Sequence, residues 1–154
     1  MRGYTGDDLI AELEKNGVTV LEDENVLLDS RFYLIGRQDA SEELDLGGSR
    51  AKIADLMQRV DNDKFTIVLD HQPRDYDAEA AAGADLVLSG HTHGGQMIPS
   101  MQLIRWFHLG GDDCVYGTER RENTDFIVTS GISDWAIKFK TGCRSEFVMI
   151  DIHA

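Results

Sequence analysis

Phe65-Thr66-Ile67-Val68-Leu69-Asp70-His71 and Asp85-Leu86-Val87-Leu88-Ser89-Gly90-His91-Thr92-His93-Gly94-Gly95 are the two stretches whose reading decides the fold. Each is a short apolar run that ends at or beside a histidine, as expected of a buried strand that delivers polar residues at its exit. Residues 74–83 between them are rich in Ala, carry Glu79 and contain no β-branched residue, so they predict a short helix. Strand, helix, strand is a parallel crossover unit. Both strands of such a unit run the same way, so both histidine turns leave from the carboxyl edge of the sheet, where open α/β sheets place their sites. The topology thereby gathers His71, His91 and His93, which the sequence spreads over 23 positions.

Three imidazoles at one sheet edge point to a metal. Imidazole is the commonest protein metal ligand and suits zinc, iron, nickel and other first-row divalent ions. A bare His-x-His pair also arises on ordinary solvated loops. The third histidine and the flanking Gly90, Gly94 and Gly95 favour the metal reading, because glycine lets the backbone adopt positive φ and approach an ion or phosphate closely.

Leu86-Val87-Leu88-Ser89-Gly90-His91-Thr92-His93-Gly94-Gly95-Gln96 resembles the last signature motif of the calcineurin-like metallophosphoesterase family, in the form found in its small bacterial, often membrane-associated branch. Val68-Leu69-Asp70-His71-Gln72-Pro73 is similar to the preceding motif, whose usual form has Ser in place of Asp70. The ending, Gly131-Ile132 through Gly142-Cys143-Arg144 to Phe147-Val148-Met149-Ile150, resembles that branch's closing strands, so the likeness covers most of the chain from Thr5 onward. The resemblance implies an α/β fold, the carboxyl-terminal half of a four-layer αββα sandwich with a mixed sheet and flanking helices. It also implies a hydrolase of phosphate esters or anhydrides, in which two divalent ions (Mn, Fe, Zn or Ni) about 3.5 to 4 Å apart clamp the phosphate and activate water. On that pattern His71 and His91 bind the second ion and His93 the first. Asp70, Gly90, Gly94, Gly95, Gln96 and Arg144 are the supporting or phosphate-proximal candidates.

The departure from the family pattern is an absence. The Asp-x-His motif, the Gly-Asp-x-x-Asp motif with its bridging carboxylate, and the Gly-Asn-His motif with its Asn ligand and proton-donating His do not occur. Asp7 and Asp8 follow Gly6 but lead no such pattern, and the histidines are His71, His91, His93, His108 and His153 only. Met1-Arg2-Gly3-Tyr4 resembles the stretch after the third motif of longer relatives, so the expectation is a single truncated domain over residues 1–154, inactive or nearly so alone. Catalytic zinc usually has three protein ligands and one open position, which leaves at most one weakly held ion on the three histidines. Two other readings stay open: a non-catalytic metal-binding or dimerising module, and a mononuclear hydrolase. Removing half a sandwich uncovers apolar sheet surface and a strand edge, which predicts a homodimer through that surface. A phosphorylated small molecule or lipid is the substrate class of the parent enzyme.

Composition agrees with one compact domain. The chain has 154 residues, 42% of them hydrophobic, enough for a sizeable core. Its net charge of -13 opposes binding to nucleic acid or an anionic membrane and reads as solubility. Cys114 and Cys143 fit neither zinc nor thioredoxin spacing, so free thiols and one disulfide are both compatible. No run is apolar and long enough to span a bilayer, and no signal-type start occurs.

The remaining elements follow from local patterns. Thr5 with Asp8 predicts an N-cap opening a helix through Lys15, ended by Asn16-Gly17. Residues 18–21, 25–28 and 32–36 read as strands, with Asp29-Ser30-Arg31 turning the last two into a hairpin. Ser49 is expected to cap a second helix whose Ile53, Leu56, Met57 and Val60 face a core. Residues 125–130 and 146–152 read as strands, and Trp106, Phe107 and Leu109 as packing residues or the lining of a substrate pocket in the parent enzyme. Asp70 has two readings, orienting the His71 imidazole or forming a turn. Arg144 reads as a surface partner of Glu146 or a contact to an anionic substrate. Asp112-Asp113 reads as a solvated loop, and His108 and His153 as surface or packing histidines.

Overall fold

The computed structural model describes residues 6–41, 49–99, 103, 106–107, 114–136 and 138–153. Its sheet contains β1 (Glu24–Leu28), β2 (Phe32–Gly36), β3 (Phe65–Leu69), β4 (Leu86–Ser89), β5 (Gly117–Arg121) and β6 (Thr124–Val128), in the order β1-β2-β3-β4-β6-β5. The inner strands β2, β3, β4 and β6 are parallel, and each edge strand is antiparallel to its neighbour. The fold is thus α/β with a mixed sheet and flanking helices.

Register explains where the core sits. Ile35, Val68, Val87 and Phe126 align across the four parallel strands, and all four are buried. Helices α2 (Ile53–Met57) and α3 (Tyr76–Ala81) lay Ile53, Leu56, Met57, Tyr76 and Ala80 against that row. The Tyr76 ring stacks on Phe126 with centroids 3.9 Å apart. Because side chains alternate along a strand, the opposite face carries Leu34, Ile67, Leu88 and Ile127, each half-buried, and Leu69, which is 37% exposed.

Local chemistry sets several boundaries as anticipated. Helix α1 (Gly6–Lys15) ends where Gly17 takes a φ of 80° and Val18 donates back to the Leu13 carbonyl at 3.0 Å. The β1–β2 hairpin turns through Asp29 and Ser30 at φ values of 50° and 55°, residue types that tolerate this left-handed region. Thr5, Leu109, His108 and Asp112-Asp113 lie outside the described residues.

Four expectations need correction. Residues 18–21 form no strand: Val18 and Thr19 are exposed with no ladder partner, and the Asp23 carboxylate instead anchors the approach to β1 by accepting from the amides of Gln38 at 3.0 Å and Ala51 at 2.6 Å. Ser49 is not the cap of α2, which starts after Lys52 with no side-chain cap. The segment 146–152 joins no ladder. Its end lies over the sheet instead, where Ile150, Ile152 and His153 line a cavity of about 450 Å³ with Phe65, Leu86 and Ile127. Trp106 and Phe107 do not pack inside, being 79% and 64% exposed. Cys114 and Cys143 are free thiols, one of the two states compatible with the sequence. Strand β5 escaped the sequence reading because Thr118-Glu119-Arg120-Arg121 is polar; charge on an edge strand discourages further pairing.

Truncating Phe126 to Ala removes the centre of the buried row, and the expected loss of stability is about 3 to 5 kcal/mol, read from urea unfolding.

Candidate functional site

Parallel pairing places the segments after β2, β3, β4 and β6 at one sheet edge. There the His71 and His91 rings meet edge to face, with centroids 5.1 Å apart and planes at 85°. His71 Nε2 lies 3.3 Å from His91 Nδ1. The two turns are also joined through the backbone, the Gly90 amide donating to the His71 carbonyl at 3.1 Å.

The 91–96 turn is wound through the left-handed region, with φ of 62° at His91, 49° at His93, 61° at Gly94, 76° at Gly95 and 42° at Gln96. Such a run is uncommon for residues other than glycine, and the surroundings hold it. The Thr92 hydroxyl donates to the Val115 carbonyl at 2.6 Å and accepts from the Gly94 amide at 3.3 Å. The Cys143 thiol donates to the His93 carbonyl at 2.9 Å. A side chain at Gly94 would meet Cys143 Cβ at 3.0 Å and Ser130 Cβ at 3.2 Å, so any larger residue would have to push these neighbours aside. Gln96 staples the turn to residues 135–141: its Nε2 donates to the carbonyls of Trp135 at 3.0 Å and Phe139 at 3.2 Å, and its Oε1 accepts from the Trp135 amide at 2.8 Å.

His93 does not join the pair through this nitrogen, its Nδ1 sitting 3.3 Å from the Ser133 carbonyl. Among the described residues, no group of three or more His, Cys, Asp or Glu side chains stands where it could hold a metal ion. The His71–His91 pair fits one ion in part. In a tetrahedral site with metal–nitrogen bonds of about 2.0–2.1 Å, two ligand nitrogens lie about 3.3–3.4 Å apart, the separation seen here.

Asp70 forms the turn, its Oδ1 accepting from the Gln72 amide at 3.3 Å, and also takes a role that the sequence did not mark. Its carboxylate is buried and accepts from Arg37 Nη1 at 2.7 Å and Arg50 Nη1 at 3.0 Å; it makes no hydrogen bond to the His71 ring. The same guanidinium groups reach Asp75, Arg50 Nη2 at 2.6 Å and Arg37 Nη1 at 3.0 Å, and Arg37 Nη1 also approaches Glu79 at 3.3 Å. Burial alone would lower the Arg37 pKa, but Asp70, Glu79 and Asp75 outweigh it and hold it above the ordinary value. Burial, reinforced by Asp70, pushes the Glu79 carboxyl up to about 8 against the pull of Arg37. Arg37 and Arg50 lie outside the regular elements, where no periodicity marks them.

Arg144 is exposed and makes no ion pair with Glu146 among the described residues, because Glu146 accepts from the Tyr116 hydroxyl at 2.7 Å and the Ser130 amide at 3.0 Å. Arg144 contributes its carbonyl, which accepts from the Ser130 hydroxyl at 2.6 Å. Asp39, after β2, accepts from the Ser41 amide and hydroxyl and from Gln72 Nε2. Burial raises its carboxyl pKa, yet the Ser41 hydroxyl and amide donors lead the effects that hold it below the usual range.

A parallel α/β core that presents paired imidazoles at its carboxyl edge has the framework of a metal-dependent hydrolase. The comparisons with known proteins agree. An uncharacterized metallophosphoesterase of Campylobacter jejuni is 30% identical over 151 residues, which is 97% of this chain and 39% of the relative. One of Bacillus subtilis is 26% identical over 87% of this chain and 49% of its own length, and one of Aquifex aeolicus is 40% identical over 54% and 31%. No family model and no solved structure matches. The chain belongs to the metallophosphoesterase family, whose members are phosphoester hydrolases that depend on divalent metals. It spans less than half the length of the relatives it matches. Among the described residues no helix is long and apolar enough to cross a membrane.

Glu79 gives stability a pH signature. Its contribution is fully present below the unfolded value of 4.5 and is lost as pH rises through about 8, because the unfolded chain releases the proton first. The melting temperature should therefore fall between pH 5 and pH 9 relative to Glu79→Gln, which keeps an acceptor for Arg37 but does not titrate.

Proposed function

We propose that this chain supplies His71 and His91 to the divalent-metal centre of a phosphoester hydrolase, and that His93 serves a neighbouring ion in the complete two-metal site. The 3.3 Å separation of the two ring nitrogens carries the reading. Both nitrogens must then act as acceptors, so neither lies protonated between the rings. A bound divalent ion supplies Lewis-acid stabilisation of charge on phosphoryl oxygens and activation of water.

The chain's own residues set the geometry of the pair. The Gly90–His71 backbone bond fixes the separation of the two turns, and the Thr92 and Gln96 side chains fix the direction in which His91 and His93 leave the sheet. The bridging carboxylate and the Asn ligand of the family pattern are absent from the 154 residues. Two-metal hydrolysis accordingly belongs to the whole protein, and this chain alone is inactive or nearly so. The half-buried apolar face of Leu34, Ile67 and Leu88, beside the part that the end of the 146–152 segment covers, is the surface on which the next layer packs, a second copy when the chain stands alone.

Zinc or manganese should bind the chain weakly in calorimetry, and His91→Ala should abolish the binding; retention of full affinity by that variant would overturn the assignment. With p-nitrophenyl phosphate and manganese the chain should show no turnover above background. Turnover typical of a phosphatase would show instead that this chain holds a complete catalytic site.

A further inference from the structure

The segment after β2 emerges at the same sheet edge as the two histidine turns, and it carries a carboxylate there. Asp39 Oδ1 takes three donors: the Ser41 amide at 2.9 Å, the Ser41 hydroxyl at 2.5 Å and Gln72 Nε2 at 2.9 Å. Ser41 fixes the carboxylate within its own turn. Gln72, which is buried, ties it to the turn that begins at His71. Asp39 Oδ2 makes no hydrogen bond among the described residues. A carboxylate held through one oxygen is therefore tied, through Gln72, to the turn that carries His71, at the edge where the two rings bring no negative charge of their own.

We infer that Asp39 is a positioning residue of the His71–His91 site, a carboxylate outside the ligand pair that holds the His71 turn through Gln72 and supplies the negative charge by which the pair retains a divalent cation. This rests on the reading of His71 and His91 as cation ligands. Two neutral imidazoles offer a dication lone pairs but no countercharge, and a carboxylate at the same sheet edge adds long-range attraction. Outer groups of this kind typically govern metal affinity by about 10- to 100-fold. The effect requires no direct contact between Asp39 and the ion.

Asp39→Asn separates charge from architecture, because the amide oxygen can still accept from Ser41 and Gln72. Zinc titration by calorimetry on the full chain should show affinity weakened by about 10- to 100-fold in Asp39→Asn, with the metal-free melting temperature unchanged. Asp39→Glu should recover part of the loss. Unaltered zinc affinity in Asp39→Asn, with binding abolished in His91→Ala, would overturn the role of Asp39 and leave the histidine site standing. Equal weakening by Asn and Glu would also overturn it, since the architecture and not the charge would then matter. Full affinity in His91→Ala would remove the histidine site and this inference together.

Discussion

Parallel pairing of β2, β3, β4 and β6 is the constraint on which everything at the site depends. A parallel strand cannot be followed by a tight hairpin, so each exit must cross over through a helix or long loop before the next strand begins. All four exits then crowd one edge while the crossovers cover a face. Residues 39, 71, 91 and 133, far apart in sequence, become neighbours without any of them having been selected for local contact. Ile35, Val68, Val87 and Phe126 secure the alignment, since a slip of one residue would turn each to the wrong face.

Beneath that edge lies a second layer of control. Asp70 draws Arg37 from the exit of β2 and Arg50 from the approach to α2 onto the exit of β3, and Asp75 continues the same network toward α3. Buried ion networks contribute little net stability relative to apolar packing, but loss of one partner strands the others at high cost. The network is therefore better understood as fixing where the exits stand than as strengthening the fold. The turn bearing His71 rests on it directly.

The crossover unit, the hairpin at Asp29 and Ser30 and the ending of α1 at Gly17 were legible because each depends on a short window: apolar runs, turn residues and a glycine stop. The failures share one cause. Residues 18–21 and 146–152 have strand-like composition, but a strand exists only where a neighbour offers its backbone, and no window of sequence contains that neighbour. Strand β5 is the converse, a polar stretch recruited by β6. Arg37, Arg50 and Asp39 stayed invisible because they sit in coil, where neither period nor spacing marks a residue. The pairing of His71 with His91 was legible from topology; the turning of His93 Nδ1 toward Ser133 was not, because it depends on a segment 40 positions later.

Pinning of the 91–96 turn by residues 115, 135 and 143 has a consequence for the chain's emergence from the ribosome. The imidazoles are translated well before the groups that hold them, and β4 waits for β6 to close its second side. A nascent chain stopped near residue 110 would carry the histidines without their scaffold, exposed to whatever cations the cell offers. Ordering of the turn must therefore wait until residue 143 has been made.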